Sequence, residues 1–210
     1  MSLPPPATRT RSPRRSGYFE ELTPEQIERQ LTVNLFGPMN VTRAVLPVMR
    51  KQRSGHVVTI SSTAGFAGYE GGTAYATSKF AVDGWMESLA PEIAPFGIHS
   101  TIVNPGFFRT ELLTKESTIY APARIEDYGE RNSAQREFFA GMNGNQVGDP
   151  AKLAQALLRI TEMEPPPLRF IAGADALAAA QEKLAERRQQ IDALPDLSRS
   201  LAHDDAPASA

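Results

Sequence analysis

His56-Val-Val-Thr-Ile-Ser-Ser62, then Thr63-Ala-Gly-Phe-Ala-Gly-Tyr-Glu-Gly-Gly72, then Thr73-Ala-Tyr75-Ala-Thr-Ser-Lys79-Phe-Ala81 is the stretch whose reading decides the fold. The first part is a short apolar run of the kind that forms a buried strand. The glycines of the second part make it a loop. The third begins a helical pattern, with Ala76, Phe80, Val82, Trp85, Met86 and Leu89 along it, ending near Pro95 and Gly97. In open α/β sheets, ligands sit outside the carboxyl ends of the strands. A strand, loop and helix in this order therefore put the Ser62 hydroxyl opposite the Tyr75 phenol. Tyr75 and Lys79 are four residues apart, so a helix sets them on one face. An ammonium beside a phenol favours the phenolate, which makes a tyrosine usable as an acid and base near neutral pH.

Working outward, Ile98-His-Ser-Thr-Ile-Val-Asn-Pro-Gly106 repeats the apolar run that ends in a turn. Upstream, Thr23-Pro-Glu-Gln26 is a helix start: Thr23 caps, Pro24 suits the first helical position, and Gln26 completes a capping box. Ile27, Leu31 and Leu35 follow at helical spacing, and Gly37-Pro38 predicts a kink. A second limb runs to Lys51 through Val41, Val45 and Val48. Downstream, Asp149-Pro150 begins a helix to about Met163, Leu168-Arg-Phe-Ile-Ala172 reads as a last strand, and Ala174 to Ala193 as a polar-faced helix.

Val33-Asn-Leu-Phe-Gly37, Ser61-Ser62, Tyr75-x-x-x-Lys79 and Asn104-Pro-Gly-Phe-Phe-Arg-Thr110 occur in the order and spacing of the short-chain dehydrogenase/reductase family, which the chain resembles from Gly17 to Leu201. The resemblance implies an α/β fold, a Rossmann-like three-layer α/β/α arrangement. It implies an oxidoreductase interconverting an alcohol and a ketone or aldehyde with NAD or NADP. Tyr75 would be the acid/base. Lys79 would favour its phenolate and bond the nicotinamide ribose. Ser62, rather than Ser61, would hold the substrate oxygen, being thirteen residues before Tyr75. Asn34 would hold a water that relays protons to Lys79. Pro105, Gly106 and Thr110, with Tyr75 and Lys79, would meet the cofactor. Residues 107–147, rich in aromatics, would be a substrate lid. The helices over 24–51 and 73–94 would pair subunits in a homodimer or homotetramer.

The Thr-Gly-x-x-x-Gly-x-Gly run with which such proteins begin does not occur in this sequence; a Pro/Arg-rich segment occupies residues 1–16. On that ground the chain is expected to be N-terminally truncated. It would be the C-terminal part of a doubly wound parallel sheet, with a disordered leader over 1–16 and a disordered tail over 202–210. Cofactor binding is then expected to weaken by about 4 kcal/mol, roughly a thousandfold. The alternative function is a non-catalytic remnant or interaction subunit.

Composition sets the remaining bounds. The 210 residues suit one domain, and a net charge of −2 gives no general attraction to nucleic acid or anionic membranes. No apolar run approaches the length of a membrane span. Without cysteine there are no disulfides, which fits a cytoplasmic protein. The three histidines lie far apart, and no metal site is expected.

Overall fold

The computed structural model describes residues 14–203. Strand β1 (Arg14–Ser16) opens the described chain, followed by a single 3-10 turn at Phe19–Glu21. Helix α1 (Pro24–Leu31) starts as expected, with the reciprocal Thr23/Gln26 capping box formed. A π-helical turn (Thr32–Phe36) joins it to α2 (Gly37–Gln52). The predicted kink is thus a π turn. Pro38 sits in the first turn of α2, where its missing N–H costs nothing.

Strand β2 (Gly55–Ile60) leads through the 63–72 loop into α3 (Thr73–Ile93), and β3 (Ile98–Pro105) follows. The next segment carries β4 (Thr118–Tyr120) and α4 (Gly129–Met142). Helix α5 (Pro150–Thr161), strand β5 (Arg169–Ala172) and helix α6 (Ala174–Asp192) match the sequence expectations within a residue or two. A short α7 (Pro195–Arg199) completes the described elements.

Among the described residues the main sheet has three parallel strands in the order β2-β3-β5. A separate parallel pair joins β1 to β4, with Arg14 opposite Thr118 and Ser16 opposite Tyr120. This pair moves a boundary. Residues 14–16, assigned to the leader from sequence, are structured, because Arg15 N–H donates to Gln30 Oε1 (2.8 Å) and Ala121 N–H donates to the Ser16 carbonyl (2.8 Å). The rest of the expected leader, and the tail beyond His203, lie outside the described residues.

The core lies between β2, β3 and α3. Val57, Ile98 and Ile102 pack on Met86, Leu89 and Ile93, with Leu46, Met49, Trp85 and Phe96 around them. Among the buried residues of α3, Tyr75, Ser78, Val82, Met86, Leu89 and Ile93 form a helical stripe, with Ala74, Ala76 and Asp83 buried beside it. On α2, Leu46 and Met49 face this core while Val41, Val45 and Val48 are exposed. No described helix is long and apolar enough to cross a membrane.

Candidate active site

Beyond the end of β2, Ser61 is still pinned to the sheet, its N–H donating to the Val103 carbonyl (2.7 Å). Its hydroxyl turns back to the Lys79 carbonyl (3.4 Å), so Ser61 braces α3. Ser62 is the residue that faces open space. Its Oγ accepts from Ala64 N–H (3.1 Å), which caps the turn at Thr63–Gly65 and fixes the hydroxyl at the strand end.

Tyr75 stands in the first turn of α3 and is 9 % exposed. Lys79, one turn on, donates from Nζ to the Ile60 carbonyl (3.0 Å), and the same ammonium lies 5.8 Å from the centroid of the Tyr75 ring. The end of β2 therefore holds the lysine beside the tyrosine. Asn34, in the π turn, reaches α3 from behind: its Nδ2 donates to Ser78 Oγ (3.0 Å), which donates to the Tyr75 carbonyl (2.7 Å). A π turn frees backbone groups and re-aims side chains. Here it aims Asn34 at the helix turn that carries Tyr75.

Two cavities meet at this point. The first, about 300 Å³, is lined by Ser62, Tyr75, Lys79, Pro105, Gly106 and Thr110, among others. The second, about 330 Å³, is lined by Arg14, Tyr69, Phe138 and Phe139 and shares Ser62, Tyr75, Gly106, Phe107 and Leu112 with the first. Ser62 and Tyr75 are thus in the wall between two compartments. Of the predicted site residues, six line the first cavity, and Asn34 alone stands behind it.

The strand-end loop is held by a residue that the sequence did not single out. Asp175, in the first turn of α6, accepts from Phe107 N–H through Oδ2 (2.7 Å), while Gly106 N–H donates to the Ala172 carbonyl (2.9 Å). A side chain at Gly106 would run into the Asp175 carboxylate. Thr110 Oγ1 accepts from Leu112 N–H (3.3 Å), capping the turn that closes this side. Gln146 was missed as well. It is 3 % exposed, lines the first cavity, and its Nε2 makes no hydrogen bond among the described residues. Arg14 and Tyr69, in the second cavity, are 55 residues apart in sequence, a pairing no local pattern reveals.

Comparison with known proteins places the chain in a family. The short chain dehydrogenase profile matches residues 10–120, just over half of the chain. A short-chain dehydrogenase from Streptomyces avermitilis superposes with a TM-score of 0.82 at 35 % identity, covering 91 % of this chain and 69 % of that one. An oxidoreductase of Botryotinia fuckeliana is 36 % identical over 170 residues, 79 % of this chain and 61 % of the relative. A 3-ketodihydrosphingosine reductase of Bacteroides thetaiotaomicron is 35 % identical over 157 residues, 75 % and 58 % respectively. The chain thus spans about three fifths of the length of these two curated relatives. It belongs to the short chain dehydrogenase family.

These findings correct the reading of the chain as an N-terminally truncated, partial fold. The family match begins at residue 10, inside the supposed leader, and the superposition runs over nearly the whole chain. The physical reason is that the α/β/α layers and the site loops assemble from contacts among these residues. The Gly-rich run was a signal for one loop, and its absence says nothing about how β2, β3, β5 and α3 pack.

Proposed function

We propose that this protein is an NAD(P)-dependent oxidoreductase that interconverts an alcohol with a ketone or aldehyde. The observation that carries this reading is the placement of Tyr75 and Ser62 in the wall shared by two cavities. Hydride transfer needs two bound molecules in contact and a proton donor at the same place. The names of the matched relatives, an oxidoreductase and a reductase, support the reaction class.

The residues of the first cavity fit the nicotinamide end of the cofactor. Gly106 lines this cavity, and Gln146 Nε2, without a hydrogen-bond partner among the described residues, is a donor suited to a carboxamide oxygen. Pro105 and Thr110 complete that wall, and Lys79, which lines the same cavity, would bond the ribose hydroxyls. When bound, the dinucleotide supplies or accepts the hydride.

Tyr75 gives its phenolic proton to the carbonyl oxygen in reduction, or takes the hydroxyl proton in oxidation. Ser62 holds that same oxygen and stabilises the charge developing there. Lys79 holds positive charge beside the phenol, and its bond to Ile60 fixes where. Asn34 positions the first turn of α3 through Ser78 and leaves its amide oxygen to hold a water on the proton path. Residues 107–147 form the lid: Phe138 and Phe139 of α4 close the second cavity, where the carbonyl compound sits. The exposed Val41, Val45 and Val48 face of α2 is where subunits of a homodimer or homotetramer meet.

The test is a fluorescence titration of the folded chain with NADH and NADPH, followed by ketone reduction. Saturable binding with turnover that Tyr75→Phe abolishes supports the reading. Turnover unchanged in Tyr75→Phe would overturn it.

A further inference from the structure

Arg14 is 5 % exposed and lines the second cavity, yet among the described residues no carboxylate pairs with it. Its contacts are weak ones for a cation. One terminal nitrogen donates to the Tyr69 hydroxyl (3.3 Å), the other to Ser16 Oγ (3.4 Å), and the buried Nε makes no hydrogen bond among the described residues. The guanidinium carbon lies 4.2 Å from the Phe139 ring centroid and 5.8 Å from that of Tyr75. A buried charge is ordinarily paired or neutralised, and arginine cannot shed its proton. Aromatic faces and two neutral hydroxyls compensate it only in part. The neighbouring acid, Glu70, is already engaged by Tyr18 and Arg131.

Resting on the oxidoreductase reading above, we propose that Arg14 makes the second cavity specific for a carbonyl or alcohol substrate that bears a carboxylate on an apolar, ring-sized body. The guanidinium fork matches a carboxylate. The walls supplied by Phe107, Leu112, Phe138 and Phe139 match the apolar body. Tyr69 supplies a second donor: a phenol keeps its proton at neutral pH, and desolvation pushes this one further up. Arg14 and Tyr69 therefore fix the acid end, and Ser62 and Tyr75 meet the reacting oxygen at the other end. The cavity, about 330 Å³, is at the small end of ligand sites, which favours one ring over a long chain.

The probe is 4-acetylbenzoate against its neutral isostere 4-acetylbenzamide. Binding is measured by calorimetry with and without NADPH, on the wild-type chain and on Arg14→Met, Arg14→Lys and Tyr75→Phe. The wild type is expected to bind the acid about 30-fold more tightly than the amide, about 2 kcal/mol at 1.4 kcal/mol per tenfold. Arg14→Met should abolish that preference, Arg14→Lys should keep part of it, and Tyr75→Phe should keep all of it. Circular dichroism checks that each variant is folded, and the wild-type comparison stands even if one is not. Equal affinity for acid and amide, no binding of either, or an undiminished preference in Arg14→Met would overturn the proposal. Acid-selective binding without any turnover would instead sink the oxidoreductase reading and leave the anion site standing. Turnover of both probes without selectivity would do the reverse.

Discussion

Tyr75 shows what a single residue can and cannot reveal before its surroundings are known. Its partner Lys79 follows from helical spacing, and Ser62 from the strand that precedes the loop. What spacing cannot supply is the neighbour that arrives from far away in sequence. Arg14 comes to within 5.8 Å of the Tyr75 ring centroid because β1 pairs with β4, and neither three-residue strand carries a pattern long enough to read. At this scale the prediction is kinetic. Tyr75→Phe removes only the hydroxyl proposed as proton donor, so kcat/KM should fall by at least about 100-fold, the lower end of what general acid/base catalysis contributes. The affinity for reduced dinucleotide should change little. Steady-state kinetics beside a binding titration reads both. A large loss of affinity with kcat preserved would move Tyr75 from proton transfer to mere packing.

At the scale of elements, the boundaries follow from capping chemistry, as at Thr23 and Asp149, whose side chains bond the first amides of α1 and α5. The links between elements are less legible, because they are made by isolated polar side chains. Glu21 is one such link. It is 4 % exposed and accepts from the N–H groups of Arg124 (2.8 Å) and Ile125 (3.1 Å) and from Asn132 Nδ2 (2.9 Å), tying the 19–21 turn to the segment around α4. Burial alone would raise its carboxyl, but these bonds outweigh it and hold the group below the usual glutamate range. A depressed carboxyl contributes stability that is fully present above the unfolded value of about 4.3 and is lost as pH falls through the folded one. Thermal melts of the wild type from pH 7 to pH 3 should therefore fall more steeply than those of Glu21→Gln. At pH 7, Glu21→Gln should be less stable by about 1–3 kcal/mol, the penalty for losing bonds to a buried charged acceptor. Parallel acid profiles would remove Glu21 from this role. A second link, Asp175 to Phe107, gives a structural prediction: Gly106→Ala would displace the Asp175 carboxylate and open the strand-end loop. Dinucleotide affinity should drop about tenfold, near 1.4 kcal/mol, in a protein whose circular dichroism is unchanged. An unaltered affinity would mean that the loop tolerates the methyl group.

For the whole molecule, the layers were readable because periodicity reports burial. The cross-bracing was not, because Asp83, Asn104 and Arg169 lie on three different elements. Arg169 of β5 donates to Asp83 Oδ2 (2.5 Å) and Asn104 Oδ1 (2.7 Å), and its other terminal nitrogen to Glu87 (2.5 Å). Asn104, fully buried in β3, donates to Asp83 (2.9 Å) and to the Ser62 carbonyl (2.8 Å). One network therefore joins β3, β5 and α3 to Ser62, the residue proposed to hold the substrate oxygen. Sequence could offer only an aspartate on the buried side of a helix, with no sign of which cation meets it. Removing that cation leaves Asp83 buried, with Asn104 as its one neutral donor among the described residues. Breaking a buried pair from one side costs roughly 3–5 kcal/mol; the lower end applies here, since the Arg169 side chain is 23 % exposed. Arg169→Met should thus lose about 3 kcal/mol in denaturant unfolding. Adding Asp83→Asn should restore part of that loss, because it removes the orphaned charge. Since the Ser62 carbonyl hangs on the same network, Arg169→Met should also lower kcat in protein that is still folded, with the double variant recovering stability more than kcat. Strictly additive losses for the two substitutions would show that the residues act separately and that the brace does not reach the site.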